Sequence, residues 1–134
     1  MFHLVKILNS RSGAPEPLRI TLKNETGAKC GDFVQISGGN AVRISSTAVV
    51  LPTHYILAKL SANELLVTPV SPDMIFETTV KDSPETMNVG EEYLLSEDGD
   101  CIGMTSAAAG KRGAILHDKL GAKNAGDFVH IRFL

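Results

Sequence analysis

The sequence predicts an all-β domain, a small β-barrel or sandwich with an extended N-terminal arm and little helix. Three observations carry that expectation. A Gly-acid phrase recurs, because Gly31-Asp32-Phe33-Val34-Gln35-Ile36 returns as Gly126-Asp127-Phe128-Val129-His130-Ile131, with a looser copy at Gly90-Glu91-Glu92-Tyr93-Leu94-Leu95. The third and fifth residues after each Gly are apolar, the period of two that a strand with one buried face requires. Short apolar-alternating segments recur at intervals of roughly ten residues with turn chemistry between them, as in barrels and sandwiches.

In chain order, residues 1–17 start with an apolar-alternating stretch and pass into Asn9-Ser10-Arg11-Ser12-Gly13-Ala14-Pro15-Glu16-Pro17, too rich in Pro, Gly and Ser for a core. They read as an extended arm ordered by a neighbour, and residues 18–134 as a single β domain. Strands are expected at 18–23, 33–36 and 41–44. Gly38-Gly39-Asn40 supplies the positive φ that a primed hairpin turn needs between the last two. Further strands fit 55–60, 65–70, 74–80 and 93–95, the last followed by a turn at Glu97-Asp98-Gly99-Asp100 and a strand from Cys101 to Met104. A final strand fits 128–134, with Val129, Ile131 and Phe133 facing inward and His130 solvated. Helix is scarce. Residues 106–116 hold an Ala run, but Gly110 and Gly113 each cost about 1 kcal/mol in a helix interior, and Ser83-Pro84-Glu85-Thr86-Met87 makes one turn at most.

Composition narrows the function. The 134 residues are 43% hydrophobic and 21% charged, which is globular and sized for one domain. Lys plus Arg number 13 against 15 Asp plus Glu, so the net charge of −2 does not favour gripping a phosphate backbone. Aromatics are 5% with no Trp, too few for base-stacking platforms. Cys30 and Cys101 have no metal-site spacing. The longest bulky apolar runs, such as Ala48-Val49-Val50-Leu51, fall far short of the roughly twenty residues of a membrane span, and the N-terminus lacks the h-region of a signal peptide. An intracellular origin with free thiols is the default.

Candidates for chemistry are thin. His3, His54, His117 and His130 stand at neither HxH nor HExxH spacing. Asp98-Gly99-Asp100 lacks the further ligands of a calcium loop. Gly103 to Arg112 has the wrong spacing for a phosphate loop, and His117-Asp118 has no GxSxG partner. The expectation is no enzyme, no cofactor and no metal site. Pro69-Val70-Ser71-Pro72-Asp73-Met74-Ile75-Phe76 reads as a bend followed by a strand entering the core, or else as a knob for a partner.

The start of the chain from Phe2 to Pro17, the Pro72-Asp73-Met74-Ile75-Phe76-Glu77 segment, the hairpin from Gly31 to Ile44 and the terminal Gly126-Asp127-Phe128-Val129-His130-Ile131-Arg132-Phe133 together resemble small proteins of tailed-phage and prophage heads. These are head decoration proteins, which cement the outer capsid. The resemblance implies a β-tulip-like fold, no active site, and a trimer bound between subunits of the major capsid protein on the virion's outer surface, made in the bacterial host cytoplasm, with no nucleic acid or membrane partner. It also implies that the arm adds a strand to a neighbour. Phe2, Leu4, Val5, Ile7, Arg11, Pro15, Pro17, Met74 and Phe76 are the contact residues expected. Removing residues 2–17 should then leave a folded domain. Another phage structural role, in the tail or in head completion, and a cellular β-barrel with a small-ligand pocket are the alternatives.

Overall fold

The computed structural model describes residues 1–8, 18–21, 27–108 and 110–134. Among them the chain forms eleven strands: β1 (His3–Ile7), β2 (Leu18–Thr21), β3 (Phe33–Ser37), β4 (Asn40–Arg43), β5 (His54–Ser61), β6 (Glu64–Pro69), β7 (Met74–Thr79), β8 (Glu92–Leu95), β9 (Ile102–Ser106), β10 (Ala114–Asp118) and β11 (Phe128–Arg132). The one helical element among the described residues is a 3₁₀ turn, Pro84–Thr86. The strands form two antiparallel sheets. One has the order β1-β7-β11-β10-β8-β9, the other β2-β6-β5-β3-β4. The first sheet curls until a single parallel bridge joins Val80, just past β7, to Ile102 on β9.

The recurring Gly-acid phrase is a recurring hydrogen-bonded unit. In each copy the Gly N–H donates to a carbonyl across the ladder: Gly31 to Ile56, Gly90 to Leu116 and Gly126 to Val80, at 2.8–2.9 Å. That partner's own N–H donates back to the acidic residue's carbonyl, and the acidic residue's N–H closes a turn three residues upstream. All three glycines have positive φ, from 86° to 92°, which a side chain would strain. Between β3 and β4, Ser37 pairs with Asn40, and both Gly38 and Gly39 have positive φ, the two-residue primed turn that matches strand twist.

The core lies between the sheets and is centred on Phe33. Its ring packs against Phe2, Phe76 and Phe133 of the six-stranded sheet at 4.7–4.8 Å, edge-on, and against Tyr55 of its own sheet at 5.4 Å. Four of the five phenylalanines therefore sit in one cluster. A smaller cluster around Val34, Ile56, Leu65 and Val67 lies on the other face of the five-stranded sheet. The first residue of β3 feeds one core and the second feeds the other, so this strand is buried on both faces.

Two readings of the sequence change here. Residues 3–7 are extended as expected, yet they pair with β7 of their own chain, from His3 opposite Glu77 to Ile7 opposite Met74. Phe2 is fully buried and Tyr55 Oη donates to its carbonyl at 2.7 Å. This start of the chain is part of the domain, because the core needs the Phe2 ring; residues 9–17 of the expected arm lie outside the described residues. The second change is β10, in a segment read as loop or poor helix. Ala114 and Leu116 are buried while Ile115 and His117 are half-buried, so its period is two. Gly113 lets the backbone come close to the Tyr93 carbonyl, where a Cβ would collide.

Candidate contact surface

The expected contact residues divide into four groups. Phe2, Met74 and Phe76 are fully buried, which removes them as contacts: their side chains fill the space between the sheets. Leu4 and Ile7 are half-buried and pack on that core. Val5 alone among the described ones presents an exposed apolar side chain, 45% accessible, and the ladder explains why. Register shifts between Leu4 and Lys6, so Val5 is the extra residue of a bulge, unopposed on β7. Arg11, Pro15 and Pro17 lie outside the described residues.

The larger exposed apolar groups stand elsewhere. Val42, Val49 and Val50 are all exposed and line a groove of about 200 Å³ with Gln35 and Arg43 beside β4. Leu120 and Phe128 are exposed and line a depression of about 350 Å³ over Gly121, Ala122 and Gly126. Leu120 has φ 53°, a conformation that bulky side chains avoid; the Asp118 carboxylate accepts its N–H at 2.9 Å. Phe128 holds the place in its phrase that Phe33 holds in the first copy, yet it is 52% exposed where Phe33 is 0%. The difference is positional, since β11 has one face on the core and β3 has two. The alternation with buried Val129 and Ile131 already implied an outward Phe128.

Charged groups tie the two sheets together at one end. Arg43 Nη2 lies 2.9 Å from Asp100 Oδ1 in the turn after β8, and Lys29 Nζ lies 3.3 Å from the same oxygen. Arg43 Nε is 3.1 Å from Asp32 Oδ2, but off the hydrogen-bonding direction, so that contact is electrostatic. Asp32 is buried, and burial pushes its carboxyl above the usual carboxylate value against the pull of the Lys29 amide and Arg43. A cavity of about 270 Å³ opens here between Met1, Lys29, Cys30, Asp32 and Asp100. Burial also pushes the Tyr55 hydroxyl up to about 12 and lowers His54. Cys30 and Cys101 are both free thiols.

A second polar cavity, of about 310 Å³, lies among Ser46, Lys81, Asp82, Glu97, Thr105 and Lys111. No group of three His, Cys, Asp or Glu among the described residues is placed to hold a metal ion. No helix among the described residues is long and apolar enough to cross a membrane. The surface also offers the outer strand edges of both sheets and exposed apolar side chains. No protein-family model matches the chain, and no curated protein is significantly similar to it.

Proposed function

We propose that the protein is a non-enzymatic structural subunit that decorates and stabilises the outer surface of a tailed-phage capsid, bound between major capsid protein subunits as a homotrimer. The reading rests on the resemblance of its two ends, its first hairpin and its Pro72 to Glu77 segment to head decoration proteins. The proposed finer fold is the β-tulip-like barrel or sandwich of that class. One structural observation supports it most: apolar side chains are exposed at strand edges and loops, with Val5 on the outermost strand of one sheet, Val42 on the outermost strand of the other, and Val49 and Val50 beside it. An edge strand offers main-chain groups to a partner, and exposed apolar groups add burial on contact. The near-neutral charge suits a protein shell better than a polyanion.

The test is co-sedimentation with expanded, undecorated heads. The wild-type chain should pellet with them and saturate at a fixed ratio to the major capsid protein. Val5→Asp combined with Val49→Asp should weaken that binding by tenfold or more, since each charge would be desolvated at the contact, while the circular dichroism spectrum stays unchanged. A wild-type chain that remains in the supernatant overturns the proposal.

A further inference from the structure

The polar cavity of about 310 Å³ lies beside the bridge that curls the six-stranded sheet, where the Lys81 N–H donates to the Ile102 carbonyl at 3.0 Å. The capsid reading leaves it unused. Its wall includes Leu94 and Leu95 of β8, both buried, and the backbone of β9 at Gly103. Four ionisable side chains stand in the same wall: Lys81, Asp82, Glu97 and Lys111. Their formal charges cancel. Among the described residues none of the four makes an ion pair or a side-chain hydrogen bond, whereas Lys29, Arg43 and Arg112 each have a carboxylate partner.

Ser96 adds a buried donor to this wall. The residue is 8% exposed, and its Oγ accepts the Asp100 N–H at 3.2 Å and the Cys101 N–H at 3.3 Å. A hydroxyl has two lone pairs and one hydrogen. The two amides take both lone pairs, and no acceptor among the described residues takes the hydrogen. Buried donors are seldom left without an acceptor. An acceptor oxygen held in the cavity completes the set.

We infer that the cavity binds a small zwitterion, an α-amino acid with a short aliphatic side chain. The Ser96 hydroxyl and the Lys81 and Lys111 ammonium groups serve its carboxylate, Asp82 and Glu97 accept its ammonium, and Leu94 and Leu95 give its side chain an apolar wall. The charge count decides the class. A phosphate or a dicarboxylate would meet two carboxylates in the wall, and a diamine two ammonium groups, like charges that oppose binding. A molecule with one charge of each sign offsets both pairs. The volume stands at the lower end of the roughly 300–1,000 Å³ of small-molecule sites, which limits the occupant to the size of a metabolite. This inference stands apart from the capsid reading, since it uses none of the exposed valines and its test involves no capsid.

The experiment titrates leucine into the full chain and follows the backbone amides by NMR, with isocaproate, which lacks the amine, and isopentylamine, which lacks the carboxylate, as comparisons. Leucine should shift the amides of Ser96, Gly103 and Lys111 saturably and bind at least tenfold more tightly than either comparison compound. Lys81→Ala, Lys111→Ala and the pair Asp82→Asn with Glu97→Gln should each weaken leucine binding fivefold or more. All four side chains are exposed, so circular dichroism should find these variants folded. No saturable shift up to about 10 mM leucine, shifts confined to residues away from the cavity, isocaproate or isopentylamine binding as tightly as leucine, or binding that survives the lysine or the carboxylate variants would each overturn the site.

Discussion

Asp32 and Asp127 occupy the same place in a repeated phrase and titrate in opposite directions. Each carboxylate accepts backbone N–H groups from the turn before it, Asp32 from Lys29 and Asp127 from Lys123 and Asn124, all at 2.9 Å. At Asp127 those bonds hold the carboxyl below its ordinary value. At Asp32 burial outweighs them and raises it. The sign follows for stability. The Asp127 contribution is present above the unfolded value of 3.8 and is lost as pH falls through its lowered folded value. Asp32 does the reverse: the folded state binds the extra proton, so stability declines as pH rises from 3.8 through its raised value. A carboxyl-carbon NMR titration should find Asp32 with the higher midpoint of the two, and Asp32→Asn should flatten the decline over that interval in urea unfolding. The sequence made both turns legible but not this difference, because the two phrases share their Gly-Asp-Phe-Val and the packing that buries Asp32 and leaves Asp127 open is made by distant parts of the chain. Gly113 is a second such case. Ala there would press a Cβ onto the Tyr93 carbonyl, and Gly113→Ala should cost about 3 kcal/mol in denaturant unfolding.

Among the elements, those whose signal is local were readable and those fixed by distant pairing were not. The β3–β4 hairpin falls where Gly38-Gly39 places it, and β11 where its alternation does. β1 was equally visible as an extended segment. Its assignment to an arm turned on the Pro- and Gly-rich residues that follow, whereas its actual place depends on β7, far along the chain, and on a vacancy in the aromatic cluster that only Phe2 fills. Removing residues 1–8 should therefore unfold the domain at ordinary temperature or nearly so, in contrast to the harmless deletion that an independent arm implies. Phe2→Ala, a milder change, should lose about 3–5 kcal/mol, measured from the shift in urea midpoint at constant slope. β10 was missed for a different reason: its Ala114 and Leu116 alternate over too short a span to outweigh the glycines before it.

Over the whole molecule, the aromatic cluster makes the two sheets one cooperative unit. Phe33 lies at its centre, so Phe33→Ala should lower stability by about 3–5 kcal/mol. Unfolding should remain a single transition, with tyrosine fluorescence and far-ultraviolet circular dichroism coincident. Two separate transitions would mean that the sheets hold independently. The contact surface was the least legible feature, since exposure of Val49, Val50 and Leu120 is decided by which faces the sheets leave open. The bridge from Val80 to Ile102 has a mechanical consequence. It draws β9 back to the end of β7, leaving β1 attached to the sheet by one edge only, while β11 is laced to neighbours on both sides. A pull on the first residues across the strand direction peels β1 away one residue pair at a time at low force, and the same pull on β11 must break two ladders together.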